Sequence, residues 1–216
     1  MLLFAIIIVA ILIIQNSLVQ RTAIGTIVPA PNISWPNPNG KTLGSVNAKV
    51  VVLEFADFQC PYCKVFHDTI LPQIINQYVS TGKVRFEFHH YIVVDRNIGG
   101  TESQDTAEAS ECANHQGKFW EYFNLAFANQ GLEGSGAFSS SRLKAFAANI
   151  GLDTYEFNNC ITSHQFIQQV PADVSLALSL KLNSTPSMLI NNILVENPMD
   201  LPKVRAAIDA ALQNAG

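Results

Sequence analysis

Charge is scarce in this chain. Only 14% of its 216 residues are Asp, Glu, Lys or Arg, and neither sign dominates, with 13 basic against 17 acidic residues. No basic stripe is available to neutralise a phosphate backbone, so nucleic acid is excluded as an expected partner. Cysteine is equally sparse. Two of the four stand as Cys60-Pro61-Tyr62-Cys63. No second Cys-x-x-Cys exists to complete a tetrahedral zinc set, so no metal is expected. The N-terminus lacks a basic flank ahead of its apolar run, residues 2–14, and lacks a clean small-residue cleavage site behind it. Both are normal parts of a secretory signal. An uncleaved membrane anchor over residues 1–20 is therefore favoured over a cleaved signal, although the apolar stretch to Val19 only just approaches the length of about 20 that spans a bilayer.

What is present is organised around Cys60 and Cys63. The apolar run 50–55 leads into the pair and an amphipathic run, 64–79, leads out, giving the order strand, turn, Cys-x-x-Cys, helix. In that context the pair reads as a redox site. Cys60 falls at the helix N-cap and Pro61 at the first helical position, where a missing N–H costs nothing. The unpaired N–H groups and the positive end of the helix dipole then favour thiolate at an exposed Cys60. Cys63, one turn deeper, is placed to resolve a mixed disulfide. A purely structural disulfide is the other reading, but in so tight a loop it would be strained and readily reduced.

Residues 21–47 hold Pro29, Pro31, Pro36 and Pro38 among Asn32, Asn37, Asn39 and Gly40. Proline at that density holds neither a helix nor a central strand. The stretch reads as an extended tether, with Ile33 and Trp35 packing on the domain that follows. In the strand 50–55, Glu54 interrupts an apolar run that implies burial on both faces. A carboxyl buried there has a raised pKa and can relay a proton to or from Cys63. A strand-edge Glu facing water is the alternative. Pro72 should kink the helix that ends near Val79. His67, four residues after Cys63, either tunes the thiolates or fills an amphipathic face. A second strand is expected over 84–94, where adjacent His89 and His90 point to opposite faces and cannot chelate one metal together. Helical patterning then fills residues 101–182. Expected helices are 101–115, one opening at Gly117, one capped by Ser139 and ending at Gly151, a short one from Leu152, and one over 164–181 with Pro171 in its first turns. Pro186 precedes a short apolar strand. A cis Thr185–Pro186 bond would explain a proline there, and an ordinary trans proline at a strand start is the alternative. Asn191-Asn192 reads as a hairpin turn that puts Asn192 in the left-handed region, and residues 201–212 form a closing helix.

The stretch Thr42-Leu43-Gly44-Ser45-Val46-Asn47-Ala48-Lys49-Val50, with Glu54-Phe55-Ala56-Asp57-Phe58-Gln59-Cys60-Pro61-Tyr62-Cys63, resembles the opening of DsbA-like thiol–disulfide oxidoreductases of the thioredoxin superfamily. Cys112-Ala113-Asn114-His115-Gln116-Gly117-Lys118-Phe119-Trp120 and Ser184-Thr185-Pro186 resemble their helical insertion and cis-proline loop. The resemblance implies an α/β, thioredoxin-like fold over 48–216, with a helical insertion at about 101–182 between the second strand and the cis-proline strand. It implies Cys60 and Cys63 as catalytic thiols, Thr185 and Pro186 beside them to present backbone to an extended substrate, and Glu54 as the buried acid. It implies no cofactor.

With Cys60 and Cys63 paired, Cys112 and Cys160 are left for a structural disulfide or for two buried free thiols. An even number of cysteines suits an oxidising compartment. The implied activity is introduction of disulfides into reduced or misoxidised secreted and cell-envelope proteins, on the extracytoplasmic side of a bacterial membrane. The implied redox partner is a quinone-linked membrane thiol oxidoreductase, DsbB-like or vitamin K epoxide reductase-like. Tyr62 stands where the strongest oxidant of the family has His, and a neutral phenol stabilises a thiolate less. Reductase or isomerase work and a non-catalytic chaperone module of the same fold are the alternatives.

Overall fold

The structure, a computed structural model, describes residues 25–215. The expected membrane anchor lies outside the described residues, and among the described residues no helix is long and apolar enough to cross a membrane.

Five strands form one mixed sheet. In chain order they are β1 (Thr42–Leu43), β2 (Val50–Ala56), β3 (Val84–His90), β4 (Ser187–Ile190) and β5 (Ile193–Leu194), and in space they run β1-β3-β2-β4-β5. The β2–β3 pair is parallel and the others are antiparallel. Alternation along β2 splits its side chains between two layers. Val50, Val52, Glu54 and Ala56 share the face on which Val84, Phe86, Phe88, Met188 and Ile190 join the main core. Leu53 and Phe55 face the other way, with Leu189 against Ala177 and Leu182.

The helix after the cysteine motif is broken. α1 (Pro61–Thr69) ends at Ile70, α2 (Leu71–Ile74) carries Pro72 in its first turn, and a π-helical turn, Ile75–Val79, completes the run. Pro72 has no N–H to donate, so a restart places it where none is needed. β3 ends at His90, four residues short of the expected 84–94. The N–H groups of Val93 and Val94 are taken by Asp57 Oδ2, both at 2.9 Å, which starts α3 (Val94–Ile98) instead of extending the ladder.

The insertion holds α4 (Glu102–His115), α5 (Phe119–Ala128), α6 (Ser140–Asn149), α7 (Thr154–Thr162) and α8 (Gln169–Ser179). α8 starts later than expected, because residues before it form turns and His164 takes a positive φ of 50°. Phe119, Trp120, Phe123 and Phe127 of α5 enter the main core. Within the stretch read as a tether, Trp35 packs tilted against Trp120 with ring centroids 5.0 Å apart, and Thr42–Leu43 pair with β3. Asn191 and Asn192 adopt φ of 47° and 68°, a hairpin turn left-handed at both positions. The Asn191 side chain offsets the strain by accepting from Val51 N at 2.8 Å. α9 (Leu201–Ala215) closes the chain and packs on β2 and β4.

Candidate active site

β2 delivers the chain to the top of α1. Cys60 is the N-cap, with extended φ and ψ of −68° and 120°, and Pro61 follows in the first turn. The Cys60 N–H donates to Asp57 O at 3.0 Å, and Lys64 N donates to Cys60 O at 3.2 Å, so the turn is closed on both sides. β4 approaches antiparallel, with Ser187 opposite Phe55 and Met188 opposite Glu54. That register brings the residues just before β4 to the end of β2, and there Thr185–Pro186 is cis. Cys60 Sγ donates to the Thr185 carbonyl at 3.4 Å. Cys60, expected at the surface, is only 6% exposed, because the Thr185 loop lies over it. Tyr62 (67%) and Val65 (47%) are the exposed apolar neighbours.

Cys60 and Cys63 are both thiols in this structure. Their environments push them apart. The Cys60 pKa falls to about 6, from about 8.5 for a free cysteine. The first cause is a hydrogen bond from the Cys63 thiol; burial opposes it; the Thr185 side chain and the N–H groups of Cys63 and Tyr62 add to the lowering. The fully buried Cys63 moves well above the ordinary range, through burial first and then through its bond to Cys60 and the Cys60 charge. Glu54 lies on the sheet face toward α1, 1% exposed, with Oε2 unpartnered, and burial raises its pKa to about 8. Its charge would further disfavour a Cys63 thiolate. Two sulfurs and one carboxyl therefore share a dry site in which a single negative charge resides best on Cys60.

The insertion holds this loop from behind. Gln130 Nε2 donates to Phe58 O at 2.6 Å and to Cys60 O at 3.0 Å. Gln59 Nε2 donates to Asp95 Oδ1 at 2.7 Å and Ser103 Oγ at 2.8 Å, while its Oε1 accepts from Gly134 N at 2.8 Å. Asp57 accepts from Gln59 N as well as from Val93 and Val94. Sequence reasoning missed Gln130, Gln59 and Asp57 as supports. Asp57 and Gln59 flank the motif, which was the one available signal; Gln130 lies 70 residues beyond Cys60 and gave none.

His67 is buried in the core, with both ring nitrogens engaged away from the cysteines. Nε2 meets Asn124 Oδ1 at 2.8 Å, Nδ1 meets Asp68 at 2.8 Å, and the ring stacks on Phe127. His89 and His90 point apart as expected, to Asp173 and Glu111 respectively. Ligand atoms of His90, Glu111 and Asp173 come within 4.8 Å of one another. The Lys41 ammonium occupies the cation position there, paired with both carboxylates, so the group is already neutralised as an ion network. Cys112 of α4 and Cys160 of α7 are joined by a disulfide with a sequence separation of 48.

A model of the family described as Thioredoxin matches residues 36–210. Disulfide bond formation protein D of Bacillus subtilis is 28% identical over 183 residues, covering 79% of this chain and 76% of that protein. The crystal structure of oxidised BdbD from Bacillus subtilis superposes with a TM-score of 0.74 at 26% identity, covering 83% of this chain and 97% of that one. Wolbachia pipientis alpha-DsbA1 superposes with a TM-score of 0.70, covering 84% and 94%; at 24% identity it speaks for the fold alone.

Proposed function

The chain belongs to the thioredoxin family and is a protein thiol–disulfide oxidoreductase, and from that premise we propose that it is an oxidase that introduces disulfides into extracytoplasmic proteins. The observation that carries this reading is the opposition of its two sulfurs, Cys60 favoured as thiolate and Cys63 as thiol. A substrate thiolate attacks Cys60 Sγ of the oxidised pair. The Cys60–Cys63 bond breaks, and Cys63 leaves and takes a proton, for which Glu54, buried on the sheet face toward α1, is assigned as the donor. A second substrate thiol, deprotonated, attacks the substrate sulfur of the mixed disulfide and expels Cys60 as thiolate. The substrate loses two electrons and two protons, and the electrons reside in the Cys60/Cys63 dithiol. Because a thiol of low pKa leaves readily, the second attack is driven toward substrate oxidation.

Thr185 and Pro186 are the substrate-facing loop in this reading, with Tyr62 and Val65 as an exposed apolar rim. An anchor is assigned over 1–20 and the catalytic domain over 48–216; of the stretch 21–47 read as a tether, Val28, Trp35 and Thr42–Leu43 are held by that domain. Reduced cell-envelope proteins are the substrates, and a quinone-linked membrane oxidoreductase, DsbB-like or vitamin K epoxide reductase-like, removes the electrons. The Cys112–Cys160 disulfide supports an oxidising compartment. Tyr62 brings no charge to the thiolate, which keeps a reductase or isomerase of the same site as the second reading.

Oxidative refolding of a reduced substrate tests the assignment. With glutathione disulfide supplied as the oxidant, Cys60→Ser should abolish activity, and Cys63→Ser should be captured through Cys60 as a mixed disulfide without turning over. A non-catalytic chaperone would be indifferent to both, and that result would overturn the proposal.

A further inference from the structure

Behind the active-site loop lies an open pocket of about 250 Å³, with Val28 and Leu132 exposed at its rim. At about 30 Å³ per water it has room for roughly eight waters, enough for a small organic group. Its walls are mostly apolar: Val28 of the N-terminal segment, Ala128 at the end of α5, and Leu132 and Ala137 of the following loop. The N-terminal wall is fixed, since Asn129 Oδ1 accepts from Val28 N at 2.7 Å and Asn129 Nδ2 donates to Val28 O at 2.8 Å. Gln130, which holds the Cys60 and Phe58 carbonyls, also lines the cavity, so the space is one side chain away from the catalytic loop.

Arg142 of α6 lines the same cavity and is only 8% exposed. Its guanidinium sits over the Phe146 ring, 5.4 Å from the centroid, and Nε donates to Ala137 O at 2.8 Å. Nη1 is buried with no partner, and among the described residues no carboxylate pairs with this side chain. Ser135 Oγ, also on the wall, is buried and unpartnered. A guanidinium keeps its charge in a protein, and a buried charge without a counter-charge is costly. The complement of an unpaired guanidinium and a hydroxyl within apolar walls is a planar, acceptor-only anion on an aliphatic body.

We propose that this cavity binds a small aliphatic carboxylate, held by Arg142 and Ser135. The carboxylate comes either from a free short-chain acid or from an acidic side chain or free C-terminus of a bound polypeptide.

Calorimetric titration of the full-length protein at fixed ionic strength, with butyrate and with butyramide as probes, tests this. Butyrate should bind saturably, one per chain and at least ten-fold more tightly than butyramide. Arg142→Met should weaken butyrate at least ten-fold, and Ala128→Leu, which fills the cavity but keeps the guanidinium, should weaken it as well. Should Arg142→Met fail to fold, the butyrate–butyramide ratio and Ala128→Leu decide. Competition against bound butyrate distinguishes the sources. Displacement by tri-alanine with a free C-terminus, or by an acetylated, amidated Ala-Glu-Ala, points to a polypeptide carboxylate; no displacement by either points to a free acid. Absence of saturable butyrate binding, equal binding of the two probes, or indifference to both substitutions would overturn the proposal and leave a water-filled cavity.

Discussion

At the scale of single residues, the chemistry rests on where one proton goes. Cys60 Sγ receives hydrogen bonds that only a thiolate fully uses, while Cys63 and Glu54 sit in dry surroundings that penalise their charged forms. The rate of Cys60 alkylation should therefore rise with pH around a midpoint of about 6, instead of about 8.5 for a free cysteine. The same shift stabilises the reduced protein. A depressed folded-state pKa contributes stability that is fully present above the unfolded value of about 8.5 and is lost as pH falls through about 6. Urea denaturation should show the reduced form gaining on the oxidised form between pH 5 and pH 8.5, since the disulfide removes the titrating thiol. Glu54 has the opposite sign. Its folded pKa is raised to about 8, so its contribution falls as pH rises from about 4.5 through about 8. Glu54→Gln should match the wild type at pH 4 and exceed it at pH 8, where the buried carboxylate is penalised and the amide is not. It should also slow the step in which Cys63 changes protonation, seen as slower resolution of the mixed disulfide.

At the scale of elements, the insertion does two jobs. It holds itself together through the Cys112–Cys160 disulfide between α4 and α7, and it clamps the catalytic loop through Gln59 and Gln130. Closing a loop of 48 residues contributes about 4 kcal/mol in the chain-entropy description. The double variant Cys112→Ala, Cys160→Ala should lose about 2–4 kcal/mol of stability and keep its Cys60 alkylation midpoint. Gln130→Leu should behave in reverse. It leaves Phe58 O and Cys60 O without their side-chain donor, shifts the Cys60 midpoint upward, and costs about 1–3 kcal/mol. Much of this architecture was legible in the sequence because its signals are local. Pro61 after Cys60, the break at Pro72, the apolar spacing along α5 and the paired asparagines of the hairpin each act within one turn. The end of β3 was not legible. An apolar run continues past His90, and only Asp57, distant in sequence, takes the N–H groups that would have extended the ladder.

At the scale of the whole molecule, the sheet order makes the site. A parallel β2–β3 pair carries α1 on one face, and an antiparallel β4 beside β2 sets the cis Thr185–Pro186 loop against Cys60. Cys60 and Thr185 stand 125 residues apart, and only the family resemblance joined them before the fold was known. The cavity at Arg142 had no such signal. It is assembled from an N-terminal segment, a helix end and a loop whose residues carry no pattern individually. The measurement that bears most directly on the account is the reduction potential of the Cys60–Cys63 couple, by equilibration with glutathione. A thiolate stabilised at Cys60 favours the dithiol, so a value at or above about −180 mV is expected, toward the range of oxidases. A value near about −270 mV, the range of thioredoxin, would contradict the oxidase and make the protein a reductase that needs a supply of electrons.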